Sequence, residues 1–387
     1  MIEPFRIEVD AAALADLANR LDRTRLPDEI DGAGWDYGLP RPVLADLIEH
    51  WRNRFDWRTW EARLNAFDHY KTQLPEVLGD ARLHFIHQRS RHEDASPLVV
   101  THGWPGSIVE FYKIIGPLVD PTAHGGKPED AFHVVCPSIP GYGFSDAPRT
   151  RGFDIRRLGE TLVALMRKLG YSAYGAQGGD WGAMATSYVG LIDPDHCRAI
   201  HLNMVAVPRP RDENVIETLS PDELAALTKM RESMRDEMGY QAIQGTKPQT
   251  LGYGLTDSPA GLAAWIIEKF RAWGDTGEEL FTRFTKDELL ANVALYWLTN
   301  TITSSTRLYY ESRRSGRLGP VEGHVAVPTG CAIFPHEMYR PPRRWAERLY
   351  NIQRWTMMPS GGHFAALEEP ELLVNDIREF FRPYRRA

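Results

Sequence analysis

The order of apolar and polar residues changes three times along this 387-residue chain. Leucines and tryptophans recur at helical spacing through about the first eighty residues, which predicts helices whose apolar faces pack and carry no chemistry. From residue 82 to about 207, short apolar strands alternate with helical segments such as 108–118 and 155–169. The pattern is helical again from 208 to about 318, after which strands at 325–334 and 353–358 precede a last helix.

Alternating strands and helices predict an α/β fold with a mostly parallel sheet covered on both faces. We expect four parts: a helical N-terminal segment leading into the first strands (1–95), the first part of the α/β core (96–207), a helical insertion (208–318) and the second part of the core (319–387). Ser220 and Thr285 begin sequences of capping-box form within the insertion. In such sheets the active site lies at the carboxyl ends of the strands.

One of these strand ends carries the sequence Gly-Gly-Asp-Trp-Gly at 178–182. Small residues around a central nucleophile, between a strand and a helix, are typical of a nucleophile elbow, here with Asp180 in place of serine. An aspartate at this position would form an alkyl ester of its carboxylate. The alternative is that Asp180 only caps the following helix, because Asp is a favoured N-cap residue.

The elbow, a helical insertion, an acid and a histidine follow one another in the chain order of an α/β hydrolase. His363 lies in a glycine-rich loop after the last strand, a position that favours a catalytic base over an ordinary surface or core histidine. Glu337 follows the preceding strand and is the candidate acid that orients His363. The other usual position of this acid holds Asn203, and we interpret His336, beside Glu337, as incidental.

The composition excludes several classes of protein. The chain is 43% apolar and 25% charged, and its formal charge of −7 with scattered basic residues argues against a nucleic-acid partner. Three distant cysteines, Cys136, Cys197 and Cys331, indicate no disulfide framework, and we interpret Cys136 and Cys331 as packing residues. The sequence shows no signal-peptide pattern and no run of 18 apolar residues, so we expect a cytoplasmic protein without a membrane anchor.

Taken together, the motifs resemble those of the microsomal-type epoxide hydrolases over nearly the full length of the chain. The shared sequences are Phe-Asp-Trp-Arg at 55–58, Leu-Asn at 64–65, Phe-Ile-His at 85–87, His-Gly-Trp-Pro-Gly-Ser at 102–107, Gly-Gly-Asp-Trp-Gly at 178–182, His-Leu-Asn-Met at 201–204, Thr-Lys-Pro at 246–248, Asp-Ser-Pro-Ala-Gly-Leu at 257–262 and Gly-Gly-His-Phe-Ala-Ala at 361–366. The resemblance implies an α/β-hydrolase fold with a helical cap and a helical N-terminal extension. The membrane-anchoring segment of the mammalian members has no counterpart among these motifs, so we expect the chain to resemble the soluble members.

The resemblance also implies how the ring would open. Asp180 would attack an epoxide carbon and form a covalent ester. By alignment, Tyr240 and Tyr309 of the cap would donate to the epoxide oxygen, with Tyr310 as the alternative to Tyr309. Most of the chain's 15 tyrosines must be packing residues, so the assignment of these two depends on the alignment.

The implied second step is hydrolysis of the ester to a vicinal diol. His363, oriented by Glu337, would activate the water. The backbone N–H groups of Trp104 and Trp181 would form the oxyanion hole. The bond between Trp104 and Pro105 is a candidate cis peptide.

The expected partners are a small epoxide and water, with no metal or organic cofactor. The sequence contains no His-Glu-x-x-His, no Cys-x-x-Cys and no phosphate-binding glycine motif leading into a helix. Family members include dimers, so a homodimer is left open.

Two other functions remain as alternatives. A haloalkane dehalogenase shares the fold and the aspartate nucleophile, although paired phenols suit an epoxide oxygen better than a halide. The second alternative is a binding protein that has kept the fold and lost the catalytic activity. Three aromatic residues of the cap, Trp265, Trp273 and Trp297, indicate an apolar substrate, although aromatic residues on helices are more often core residues. The substrate would be either a simple aryl or alkyl epoxide or a bulky natural-product epoxide such as an enediyne precursor.

Overall fold

The structure is a computed structural model that describes residues 1–210, 212, 219–277 and 279–385. The strands in these ranges are β1 Ile2–Phe5, β2 His69–Gln73, β3 Arg82–Gln88, β4 Ser96–Thr101, β5 Phe132–Pro137, β6 Tyr174–Gly178, β7 Cys197–Leu202, β8 Val325–Ile333 and β9 Tyr350–Met357. The helices are α1 Ala11–Asp22, α2 Arg41–Asn53, α3 Trp57–Leu64, α4 Pro75–Leu78, α5 Ile115–Val119, α6 Ile155–Lys168, α7 Asp180–Ile192, α8 Pro221–Glu237, α9 Gly239–Gln244, α10 Pro248–Asp257, α11 Pro259–Trp273, α12 Lys286–Thr299, α13 Ile302–Arg314, α14 Arg343–Ala346, α15 Ala365–Glu368 and α16 Pro370–Phe381. Short 3-10 turns cover Ile108–Phe111, Pro121–His124, Pro128–Asp130, Leu280–Thr282 and Arg382–Tyr384. None of the helices in these ranges combines the length and the apolar character needed to cross a membrane.

The strands form one sheet in the order β1-β2-β3-β5-β4-β6-β7-β8-β9. Pairing is parallel from β5 through β4, β6, β7 and β8 to β9, and antiparallel among β1, β2, β3 and β5 at one edge. The carboxyl ends of the parallel strands therefore meet at the same edge of the sheet. This topology confirms the predicted α/β fold with a mostly parallel sheet.

Helices cover both faces of the sheet. Helices α6 and α7 pack together on one face, whereas α5 and α16 cover the other. Helix α6 illustrates the sequence basis of this layer, because Leu158, Leu162 and Leu165 recur at helical spacing and are fully buried. Asp154 caps the helix by accepting a hydrogen bond from the backbone N–H of Arg157.

Helices α8 to α13, which we call the inserted helices, lie between β7 and β8 in the chain. Both predicted capping boxes are present in the inserted helices. Ser220 and Glu223 exchange hydrogen bonds at the start of α8, and Thr285 and Glu288 do the same at the start of α12. The insertion was predicted to start at 208–211. Residue 211 and residues 213–218 lie outside the described ranges.

The N-terminal helices pack against the inserted helices. Helices α1 and α2 contact α11, and α2 and α3 contact α12. Leu47, Trp51 and Trp60 are buried in this contact region, which confirms their interpretation as packing residues.

The prediction that the first eighty residues are helical was wrong for β1 and β2. Strand β2 reads His-Tyr-Lys-Thr-Gln, and β1 is four residues long and contains Pro4. Such short strands lack the alternation of apolar residues that marks a half-buried strand. They form because the sheet edge at β3 offers backbone partners, and this long-range contact has no local signal.

The prediction of a single helix at 108–118 was also wrong, because this segment forms the 3-10 turn Ile108–Phe111 and the separate short helix α5. Tyr112 and Lys113 lie between the two segments. Their side chains bind the carboxylate of Glu288 on α12, at 2.6 Å in each case. Contacts with a distant helix thus override the local helical preference.

Candidate active site

Asp180 lies in a tight turn between β6 and α7. Strand β6 ends at Gly178, and α7 begins at Asp180 itself with Gly179 as the N-cap residue. Asp180 has a left-handed φ of 50°, which is unfavourable for a residue other than glycine and is concentrated at functional sites. Asp180 therefore has the backbone conformation of a nucleophile elbow and does not occupy the N-cap position.

Glycines allow three backbone segments to meet at this turn. A Cβ atom on Gly182 would lie 1.9 Å from the carbonyl oxygen of Thr101 at the end of β4, and one on Gly178 would lie 2.3 Å from the backbone of Gly182. A Cβ atom on Gly103 would lie 2.3 Å from Oδ1 of Asp180. Only residues without side chains fit here, so the loop after β4 can reach the carboxylate.

The two carboxylate oxygens of Asp180 face different partners. The backbone N–H of Trp104 donates a hydrogen bond to Oδ1 over 2.8 Å, and Oδ2 lies 3.5 Å from Nε2 of His363. Trp181 follows Asp180 in the first turn of α7, where backbone N–H groups have no acceptor within the helix. The bond from Trp104 to Pro105 is cis, as predicted.

His363 connects Asp180 to a second carboxylate, that of Glu337. Nδ1 of His363 lies 2.9 Å and 3.1 Å from the two carboxylate oxygens of Glu337, and both residues are buried. Burial alone would lower the pKa of His363, but the charge of Glu337 and hydrogen bonds to Asp180 and Glu337 raise this pKa well above its usual value. The imidazole is therefore protonated at neutral pH and lies between two carboxylates.

The other polar candidates near this triad have different partners. Nε2 of the exposed His336 lies 3.1 Å from a carboxylate oxygen of Asp275. Asn203, at the end of β7, accepts a hydrogen bond of 2.8 Å from the side chain of Gln177. The structure thus brings Glu337 to His363, at the place where the sequence predicted the acid.

Helix α12 holds the loop that carries Trp104. Asn292 donates to the carbonyl oxygen of Pro105 over 2.8 Å, and the hydroxyl of Tyr296 donates to the carbonyl oxygen of Gly106 over 2.6 Å. The hydroxyl of Ser107 donates to the side-chain oxygen of Asn292 over 2.7 Å. Sequence analysis missed Asn292 and Tyr296, because their i, i+4 spacing is also that of any packed helix face.

Tyr240 and Tyr309 form an aromatic cluster with the tryptophans of the predicted oxyanion hole. Tyr240 stacks on Trp104 at a centroid distance of 5.1 Å, Tyr309 meets the edge of Trp181 at 4.7 Å, and the two phenol rings are 5.8 Å apart. Burial and then the nearby charges, including that of Asp180, raise the pKa of both phenols. Both are therefore protonated and can donate a hydrogen bond.

Tyr310 occupies another face of α13. Consecutive helical residues point about 100° apart, so only one of two neighbouring tyrosines can face the cluster. Tyr310 is partly exposed, and its ring lies 5.2 Å from the guanidinium carbon of Arg314. The structure thus places Tyr309, the predicted residue of this pair, beside Trp181.

Trp273 contacts the triad directly. Its ring centroid lies 5.1 Å from those of both Tyr240 and His363, and its carbonyl oxygen accepts a hydrogen bond from the backbone N–H of His363. Trp265 instead donates to a glutamine side chain, and Trp297 lies under an arginine. The sequence named all three as cap aromatics, and only the fold distinguishes the one that reaches the site.

Two family models match the chain. The model described as epoxide hydrolase N terminus matches residues 2–111, and the model described as alpha/beta hydrolase fold matches residues 96–236. Together with the parallel sheet and the elbow at Asp180, these matches define an enzyme of the α/β-hydrolase fold.

Known epoxide hydrolases are similar over almost the whole chain. Epoxide hydrolase 1 of Sus scrofa is 40% identical over 98% of this chain and 88% of its own. The crystal structure of juvenile hormone epoxide hydrolase from the silkworm Bombyx mori has a TM-score of 0.90 at 32% identity, covering 100% of this chain and 95% of that one. Aspergillus niger epoxide hydrolase has a TM-score of 0.88 at 32% identity, with 99% and 97% covered.

The chain belongs to the epoxide hydrolase family. It is an enzyme that hydrolyses epoxides, and its partners in the reaction are a small-molecule epoxide and water. This result decides against the haloalkane dehalogenase and the non-catalytic binding protein that the sequence left open.

Replacing Gly182 by alanine should separate the elbow from the end of β4. The new methyl group would lie 1.9 Å from the carbonyl oxygen of Thr101, so the backbone has to move. We expect the free energy of unfolding to fall by about 1–3 kcal/mol. We expect turnover to fall on the order of 100-fold, because the carboxylate moves relative to Trp104. Chemical denaturation and diol formation measure the two effects.

Gly254→Ala is the matched control for this substitution. Gly254 lies within α10, and nothing lies within 4 Å of a Cβ added there. The same change should leave turnover unaltered and stabilise the helix by up to about 1 kcal/mol. Normal turnover in Gly182→Ala would contradict the requirement for close contact at the elbow.

Proposed function

We propose that the enzyme opens an apolar epoxide in two steps, through a covalent ester of Asp180. The observation that carries this proposal is the position of the Asp180 carboxylate, which receives a backbone N–H at Oδ1 and faces His363 at Oδ2. One oxygen is thus held by a hydrogen-bond donor, while the other is available to a substrate. This arrangement supports a carboxylate nucleophile rather than a carboxylate that only caps a helix.

In the first step, Oδ2 of Asp180 attacks an epoxide carbon as the ring C–O bond breaks. Negative charge develops on the epoxide oxygen, which Tyr240 and Tyr309 stabilise by donating hydrogen bonds and then a proton. Their raised pKa values favour this role, because a phenol can donate only while it is protonated. Oδ1 stays bound to the N–H of Trp104 and becomes the carbonyl oxygen of the ester.

Formation of the ester changes the state of His363. The charge of Asp180 helps to raise the pKa of His363 in the free enzyme, and alkylation removes that charge. The pKa of His363 therefore falls in the intermediate, and the imidazolium proton passes to the tyrosinate that ring opening leaves. The imidazole is then neutral and able to accept a proton. Glu337 holds the ring and stabilises the imidazolium that forms again.

In the second step, neutral His363 takes a proton from a water molecule that attacks the ester carbonyl. The N–H groups of Trp104 and Trp181 stabilise the oxyanion at Oδ1. The ester C–O bond then breaks, the departing alkoxide takes the remaining proton of the attacking water, and the diol leaves with the oxygen that had been Oδ2 of Asp180. The oxygen of the water remains in the regenerated carboxylate.

The inserted helices act as the cap of this site in our proposal, within the predicted segment 208–318. They supply Tyr240 and Tyr309, which contact Trp104 and Trp181, and Trp273, which contacts His363, and α12 holds the loop of Trp104. Each of these contacts joins the inserted helices to an element of the α/β core. Substrate contacts and the catalytic geometry therefore depend on the same helices.

A cavity lined by methionines supports an apolar substrate. Met230, Met234 and Met238 are spaced four residues apart on α8 and at its end, and they line a cavity that also reaches Tyr240 and Glu337. The volume of this cavity is about 200 Å³. Methionine side chains adapt to irregular apolar shapes, so we propose that bulky as well as small epoxides enter through this cavity.

The covalent step can be tested by trapping the ester. Single-turnover reaction of the His363→Gln variant with styrene oxide should increase the protein mass by one substrate, because the ester forms and its hydrolysis stalls. Intact-protein mass spectrometry detects the ester, and diol formation by the wild type confirms that styrene oxide is a substrate. Asp180→Ala is the control and should acquire no mass. If the His363→Gln variant stays unmodified by an epoxide that the wild type converts, the covalent mechanism is wrong.

Removing both phenols should slow ring opening far more than removing either one. We expect the Tyr240→Phe and Tyr309→Phe single variants to form the ester about tenfold more slowly and the double variant on the order of 10³-fold more slowly. Rapid-quench measurement of ester formation gives these rates, and Tyr310→Phe is the matched control with an unaltered rate. Small, equal and additive effects would remove the two tyrosines from the acid role.

Narrowing the methionine-lined cavity should discriminate between epoxides by size. Met234→Trp should raise KM at least about fivefold for the bulky trans-stilbene oxide and change it little for styrene oxide, because overpacking excludes the larger ligand first. Steady-state kinetics with both substrates give the ratio of the KM for trans-stilbene oxide to the KM for styrene oxide. The exposed Met357 provides the control Met357→Trp. A ratio equal to that of the control would show that substrates do not use this cavity.

A further inference from the structure

A second, much smaller cavity adjoins the triad. It is lined by Asp180 and His363 together with Glu110, Phe111 and Asn203, among others. Its free space accommodates about one water molecule, which is far less than an epoxide substrate needs. A cavity of this size beside a nucleophile and a candidate base suits the water of the second step.

Glu110 brings a carboxyl group into the wall of this cavity. It lies in the 3-10 turn Ile108–Phe111, directly after the loop that carries Trp104. The carboxyl packs against Gly106, where a Cβ atom would lie 1.4 Å from Oε1 of Glu110, and it accepts a hydrogen bond from the backbone N–H of Ser107. The absence of a side chain at Gly106 thus makes room for this carboxyl group.

Burial favours the neutral form of the Glu110 carboxyl group. Burial raises its pKa to about 8, with contributions in the same direction from the charges of Asp180 and Glu368 and an opposing one from His363. A neutral carboxyl group has both an O–H donor and a carbonyl acceptor, so it can hold a water molecule without becoming a competing base. The two-step mechanism proposed above assigns no role to this buried group.

We propose that the small cavity is the binding site of the hydrolytic water and that the Glu110 carboxyl group positions this water against His363. The proposal rests on the two-step mechanism proposed above. The carbonyl oxygen of Glu110 accepts a hydrogen bond from one hydrogen of the water, and His363 takes the other hydrogen as a proton. The oxygen of the water bonds to the ester carbon of Asp180, the ester C–O bond breaks, and the departing alkoxide takes the remaining hydrogen of the water as a proton and leaves as the alcohol. Glu110 keeps its own proton throughout and acts as a positioning residue.

Substitution of Glu110 should therefore separate the two chemical steps. In Glu110→Val, we expect ester hydrolysis to slow on the order of 10–100-fold while ester formation changes by less than about threefold, because only the water loses its partner. Glu110→Gln keeps a neutral side chain with an acceptor oxygen, so it should restore hydrolysis to within about fivefold of the wild type. Rapid quench with styrene oxide, followed by mass spectrometry of the protein and assay of the diol, gives both rates for each variant.

Phe111→Leu is the matched control, because it alters the wall of the same cavity without removing a polar group. Equal slowing of both steps in Glu110→Val would overturn the proposal in favour of a structural role. The proposal would also be overturned if ester hydrolysis slowed as much in Glu110→Gln as in Glu110→Val. A selective slowing of ester hydrolysis in Phe111→Leu would overturn it as well. An ester that forms and hydrolyses normally in Glu110→Val refutes only the role of Glu110. Failure of His363→Gln to form the ester refutes the underlying mechanism instead.

Discussion

The contact between the elbow and the end of β4 is the constraint on which the rest of the site depends. Gly182 lies so close to the carbonyl oxygen of Thr101 that no side chain fits between them. This contact brings the loop after β4 to Asp180, so that the N–H of Trp104 reaches Oδ1. The left-handed backbone of Asp180 then directs Oδ2 toward His363. The elbow thus positions both the proposed nucleophile and one proposed donor of the oxyanion hole.

The carboxyl groups around His363 lie in different environments. Glu337 contacts Nδ1 of His363 directly, where it can support an imidazolium. Glu110 is buried, and burial raises its pKa to about 8, which favours its neutral form. Asp180 changes its charge during the proposed reaction and thereby alters the pKa of His363 between the steps. In the proposed mechanism, three carboxyl groups thus act as a nucleophile, an orienting group and a positioning group, because each is placed in a different environment.

The triad could be predicted from the sequence because each member follows a strand in a turn with recognisable chemistry. Asp180 and His363 lie among glycines that only tight turns require, and the chain order places Glu337. β1 and β2 could not be predicted, because their strand character comes from pairing at the edge of β3. The two tyrosines were named only through the family resemblance. The choice between Tyr309 and Tyr310 depends on the rotation of α13, which no local pattern determines.

The inserted helices couple substrate binding to catalysis through the loop of Trp104. Asn292 and Tyr296 on α12 bind the carbonyl oxygens of Pro105 and Gly106, so the position of the Trp104 N–H depends on a helix outside the α/β core. The same loop leads directly into the turn that carries Glu110. A displacement of α12 by a poorly fitting substrate would consequently move the oxyanion donor and the neighbouring water site together. In the proposed mechanism, the loop after β4 therefore connects the fit of the substrate to the hydrolytic step, although no residue of the triad belongs to the inserted helices.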